Sequence, residues 1–133
     1  MKLLLDTNLI LDLVLNRPKV SVIKQVFLKA EENKDEIFIT ASSVTDLFYI
    51  IRKTLHNNRT YEVMEDIFSL VRIIPVTEED ILSAFFAKWK DFEDCVQFVA
   101  AQNYGIDFVI TWNKKDFEIN SNVLLPEEYI FLQ

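Results

Sequence analysis

Hydrophobic and polar positions follow two alternating patterns along the chain. Short solid apolar runs are separated by longer stretches in which apolar residues recur every three or four positions. The first run, Lys2–Asp6, is apolar at Leu3, Leu4 and Leu5 and stops at a carboxylate. An unbroken apolar run of that length reads as a strand buried on both faces. Glu36–Thr40, Val71–Val76 and Phe108–Thr111 repeat it, and Val123–Leu125 is a weaker fifth run that Pro126 ends or confines to an edge.

The intervening stretches have helical spacing. Asn8–Leu15 is a short helix closed by Asn16-Arg17-Pro18, because proline disfavours a helical residue before it. Val20–Glu32 places Val22, Ile23, Val26, Phe27 and Ala30 on one face. Further helices are expected over about Ser42–His56, Thr60–Leu70, Thr77–Trp89 and Asp91–Tyr104. Thr77-Glu78-Glu79-Asp80 has the form of a capping sequence, and Gly105 sits where a left-handed helix end is wanted. Strands separated by helices predict an α/β architecture: a central, mostly parallel sheet of four or five strands with helices on both faces. No stretch marks a boundary, so residues 1–133 are expected to form a single domain.

Composition narrows the classes. One Gly and three Pro are too few for a many-turned sandwich or barrel, and eleven Phe supply core volume. The lone Cys95 excludes an internal disulfide framework and, with His56 far away in sequence, offers no zinc cluster; it reads as a small apolar helix residue. Asp6 and Asp12 interrupt the N-terminal apolar stretch, which therefore does not read as a signal peptide. No run is long enough to span a bilayer, and a cytoplasmic location is expected. A net charge of −7 argues against broad non-specific binding to nucleic acid. It leaves open a nucleic acid substrate whose phosphates meet cations held by clustered acids.

Those acids fall where a parallel sheet gathers them. Asp6 ends the first strand, and Asp46 lies a turn into the helix after the second. Asp91 and Asp94 open the helix before the fourth strand; Thr111-Trp112-Asn113 ends that strand and Asp116 follows. Strand ends and the helix starts beside them share one side of such a sheet, where ligands bind. Each acid taken singly has a structural explanation, as a helix cap, a dipole partner or a solvated helix position. Together they predict a carboxylate cleft. Oxygen donors without a His/Cys cluster favour a hard ion, Mg²⁺ or Mn²⁺, suited to phosphodiester chemistry.

Three blocks then resemble the PIN domain family, in particular the VapC-like toxin ribonucleases of bacterial toxin–antitoxin pairs. They are Leu4-Leu5-Asp6-Thr7-Asn8, Ser43-Val44-Thr45-Asp46-Leu47, and Asp91-Phe92-Glu93-Asp94-Cys95-Val96-Gln97 with Val109-Ile110-Thr111-Trp112-Asn113-Lys114-Lys115-Asp116-Phe117. The likeness spans essentially the whole chain. It implies a PIN-like fold, endoribonuclease activity on single-stranded RNA with Mg²⁺ or Mn²⁺, a homodimer, and a small antitoxin that covers the site. By position it makes Asp6, Asp46 and Asp94 the metal-holding acids, with Asp91 and Asp116 as possible additional acids. Asn8, Thr111 and Asn113 would orient acids or water around them. Two positions depart from the family pattern: Asp46 is one methylene shorter than the common Glu, and neutral Asn113 stands where an Asp is frequent. Both predict one tightly held ion, with a second recruited by substrate.

Lys114, Lys115 and Arg52 are the candidate phosphate contacts, and Trp112 is a candidate platform for a base. The competing class is a PIN-like binding module that has lost catalysis, favoured by Asn113. A receiver-like phosphotransfer domain fits poorly, because Asp6 stands alone at its strand end.

Overall fold

The computed structural model describes residues 1–119 and 121–133. Five parallel strands form one sheet: β1 (Lys2–Leu5), β2 (Glu36–Thr40), β3 (Arg72–Ile74), β4 (Phe108–Ile110) and β5 (Val123–Leu124), in the order β3-β2-β1-β4-β5. β1 is central, pairing Leu3 with Ile37 on one side and with Phe108 on the other. Among the described residues, seven α-helices connect and follow them: α1 (Thr7–Val14), α2 (Val20–Asn33), α3 (Ala41–Thr54), α4 (Asn57–Leu70), α5 (Glu78–Ala87), α6 (Phe92–Asn103) and α7 (Pro126–Ile130).

The solid apolar strands are explained by burial on both faces. Leu3 and Leu5 of β1 join Ile37 and Ile39 of β2 in a core completed by α1 to α4 and Tyr129 of α7. Leu4, between them, points the other way with Phe38, Ile74 and Val109, against Phe98, Ala100 and Ala101 of α6. Side chains of a strand alternate between faces, so one leucine run supplies two cores. Ala84 of α5 meets Cys95 and Val96 of α6 in a third, smaller cluster. Cys95 is thus the small buried residue expected of it.

Several boundaries differ from expectation for local reasons. The helix expected from Thr60 begins at Asn57, directly after α3, with the buried Thr60 hydroxyl donating to His56 O at 3.0 Å. The helix expected to reach Trp89 ends at Ala87, because Lys88 turns left-handed with φ +57°. The strand expected over Val71–Val76 pairs only across Arg72–Ile74. Val123–Leu124 is indeed an edge strand, and Pro126 both ends it and starts α7, a helix that periodicity does not predict. Gly105 adopts φ +77°, and the Ile106 N–H returns to Ala101 O at 3.0 Å to close α6.

Candidate active site

β1 and β2 each end in a side chain that starts the next helix. Asp6 caps α1, its Oδ1 accepting from Asn8 N at 3.5 Å, and Thr40 caps α3, its Oγ1 accepting from Ser43 N at 3.2 Å. A hydroxyl relay joins the two: Thr40 to Ser43 at 2.9 Å, and Ser43 to Thr7 at 2.6 Å. The capping role and the site role of Asp6 therefore coexist in one side chain.

Asp6 is only 2% exposed and is held from two directions. The Thr111 hydroxyl, at the end of β4, donates to its Oδ2 at 2.7 Å, and the Gln97 amide on α6 donates to its Oδ1 at 3.3 Å. Thr111 Oγ1 accepts in turn from Asn113 N at 3.0 Å, which fixes the direction of its proton. The first β-strand, the fourth strand and the sixth helix thus lock the orientation of one carboxylate.

Asp91 caps α6 by accepting from Asp94 N at 2.9 Å, and this brings Asp94 inward. Asp94 is 5% exposed, and its Oδ2 is buried with no hydrogen-bond partner. Burial, and then the charges of Asp6, Asp91, Asp116 and Glu93, push its carboxyl up to about 7. Glu93 is raised in the same way, by burial first and then by Asp46, Asp91 and Asp6. Burial and the repulsion of neighbouring carboxylates thus both disfavour the ionised forms of Asp94 and Glu93.

The acids open into a cleft of about 280 Å³ lined by Asp6, Asn8, Asp46, Asp91, Glu93, Asp94 and Asn113, with Gln97 and Tyr49 beside them. Asp6, Asp46, Asp94, Asp91, Asn8 and Asn113, all singled out in the sequence, are therefore brought together. Thr111 lies buried beneath them. Asp116 is outside this cleft, on an adjoining cavity shared with Asp91, although its charge still reaches Asp94. Among the described residues, no three His, Cys, Asp or Glu side chains close into a finished ligand set.

The basic and aromatic candidates divide. Lys114 is committed to Glu128 at 2.9 Å, and Arg52 does not line the cleft. Trp112 is packed: its Nε1–H donates to Asp12 Oδ2 at 2.7 Å, and Lys19 lies 4.4 Å over its ring. Only Lys115 remains exposed beside the acids, on the wall with Asp116. Sequence reasoning missed Glu93 and Gln97. Their signal was present, because residues 93, 94 and 97 share one side of a helix whose Asp94 was already implicated.

The likeness expected from the sequence blocks is present in known proteins. The family model described as PIN domain matches residues 2–115. The chain is 24% identical over 136 residues to Ribonuclease VapC1 of Aquifex aeolicus, covering 96% of this chain and 92% of that protein. A toxin-antitoxin complex from Klebsiella pneumoniae superimposes with TM-score 0.68 at 25% identity, over 92% of this chain and 96% of that one. VapBC-1 from nontypeable Haemophilus influenzae gives TM-score 0.73 at 18% identity, over 96% and 99%. With its five-stranded parallel sheet and its match over most of its length, the chain belongs to the PIN domain family.

Proposed function

We propose that this protein is a metal-dependent endoribonuclease acting on single-stranded RNA, and the toxin of a toxin–antitoxin pair. The observation that carries this reading is Asp94 Oδ2, a buried carboxylate oxygen without a partner, on a residue that lines one cleft together with Asp6 and Asp46. Structural acids are satisfied by donors; an unsatisfied one among like charges fits a cation. The donor set is all oxygen, which suits Mg²⁺ or Mn²⁺. Asp6 and Asp94 would hold the ion, with Asp46 as a third, direct or water-mediated ligand.

When bound, such an ion supplies polarisation of the phosphodiester and acidification of an attacking water. The protein's share is positional. Thr111 and Gln97 hold both oxygens of Asp6 in fixed directions, so no side-chain search is needed when substrate arrives. Asn113 offers a carbonyl but no charge at the rim, which fits one tightly held ion and a second recruited with the RNA. A small antitoxin partner is supported by the names of the similar complexes and by unpartnered apolar surface. Phe85 and Phe86 of α5 are 59% and 70% exposed, and another apolar cavity lies between α2 and α4 around Phe27, Leu28 and Leu70.

The test is cleavage of labelled single-stranded RNA with Mn²⁺ or Mg²⁺, beside EDTA and Asp6→Asn. Metal-dependent cutting lost in both controls is the expected result. Asn113 favours the alternative, a binding module that has lost catalysis. Intact RNA together with no Mn²⁺ binding by calorimetry would decide for that module.

A further inference from the structure

A second cavity opens beside the acid cleft, and the two share Asp91 as a common wall. It is lined by Lys88, Lys90, Asp91, Lys115, Asp116 and Glu118. Its two sides come from distant segments, the α5–α6 connection and the turn after β4, and both are clamped. Trp89, between the first two lysines, packs its ring 5.4 Å from Phe98 and 5.7 Å from Phe117, measured between centroids. The Lys90 N–H donates to Glu118 Oε2 at 3.2 Å. Lys88 is held in the left-handed region at φ +57°, an unusual conformation for a residue with a side chain.

The three lysine side chains are exposed. Among the described residues none makes an ion pair, whereas their neighbour Lys114 is tied to Glu128. Two acids on the same wall are engaged by backbone donors: Asp91 caps α6, and Glu118 accepts from the Lys90 N–H. A protein of net charge −7 thus presents three unpaired cations on a fixed frame directly beside its acid cluster.

We propose that Lys88, Lys90 and Lys115 form the cradle that holds backbone phosphates of the RNA on one side of the scissile bond. The inference rests on the nuclease reading above and adds which residues grip the substrate. The ammonium groups contact phosphates without reading bases, so they position the strand and set no sequence preference. Lys88 and Lys90 flank an anchored tryptophan, so the strand meets charges whose backbone is already ordered. Lys114 takes no part.

The test uses the full chain carrying Asp6→Asn, so that RNA is bound but not cut. Affinity for a labelled single-stranded RNA is measured by fluorescence anisotropy at several salt concentrations, with and without Lys88→Gln, Lys90→Gln and Lys115→Gln together. Each lost phosphate contact on a single strand removes about 0.7 from the slope of log affinity against log salt, so the triple variant should lose about 2. Its affinity near 0.1 M salt should fall about a hundredfold. Lys114→Gln should leave the slope unchanged. An unchanged slope in the triple variant, with RNA still cut by the otherwise native protein, would overturn the cradle and leave the nuclease reading standing; the lysines would then serve only to offset nearby acids. If the native protein neither binds nor cuts RNA, both readings fail.

Discussion

At the scale of single residues, the site is a place where local stability has been given up. Asp94 is buried, lacks a partner on Oδ2 and faces other acids. Its folded-state carboxyl is raised to about 7, so its ionisation opposes folding increasingly as pH rises above the unfolded pKa of about 3.9, with the full penalty present above about 7. Asp94→Asn should therefore raise unfolding stability in metal-free buffer by about 1 kcal/mol, the scale of a typical stabilising substitution, while abolishing cleavage. Urea unfolding at pH 8 with EDTA, beside the RNA assay, checks both halves. A destabilised variant would show that attractive partners hold the carboxylate in the folded protein. The acids Asp6, Asp46, Asp91 and Asp94 were legible in the sequence because each ends a strand or opens a helix. Trp112 was not: its neighbours in sequence suggested the cleft, and its partner Asp12 lies 100 residues away. Nothing local announces that bond. The ion pair of Lys114 was hidden for the same reason, since Glu128 belongs to a helix the sequence did not reveal.

At the scale of elements, capping was the most readable signal. Thr77 and Asp80 form the reciprocal pair expected from Thr77-Glu78-Glu79-Asp80, with Asp80 N donating to Thr77 Oγ1 at 3.1 Å and Thr77 N to Asp80 Oδ2 at 2.9 Å. Asp80 also accepts from Asn103 at 2.6 Å, fastening the start of α5 to the end of α6. Burial alone would raise its carboxyl; the Thr77 N–H, the Asn103 amide and the Thr77 hydroxyl outweigh it and hold the group below the usual range. A depressed carboxylate contributes stability above its unfolded pKa of about 3.9, and the contribution is lost as pH falls through the folded value. Asp80→Asn should cost about 1 kcal/mol at pH 7 and show a shallower further loss on acidification than the native chain. Urea midpoints at pH 7 and pH 3 measure the difference. The helix α7 was unreadable by periodicity because its five residues make little more than one turn. Its start was nonetheless marked by Pro126 followed two residues later by Glu128, whose Oε1 accepts from Leu125 N at 2.8 Å.

At the scale of the molecule, the parallel sheet and its two-sided burial followed from the solid apolar runs, while the closure of the far end did not. The end of the sheet away from the cleft is sealed by α7 against α2. Lys29 Nζ donates to the carbonyls of Ile130 and Leu132, and the fully buried Tyr129 donates its hydroxyl to Asp35 Oδ2 at 2.6 Å. Burial and this bond to Asp35 raise the tyrosine hydroxyl well above its ordinary value, so it stays a donor throughout the physiological range. Tyr129→Phe should lower stability by about 1 kcal/mol, the net worth of such a bond, and leave RNA cleavage intact. Thermal unfolding and the cleavage assay together separate the closure from the chemistry.

The bond from Thr111 to Asp6 crosses 105 residues of chain. Asp6 precedes β2 and β4 along the chain, and the hydroxyl that orients it comes only with β4, which pairs with the flank of β1 opposite β2. Contacts between such distant positions form late, since each requires a long loop to close first. A partly synthesised chain therefore carries the carboxylate without its fixed orientation. If the proposed function holds, a chain that lacks β4 carries the acid but not the hydroxyl that aims it, and the site is complete only once both flanks of β1 are paired.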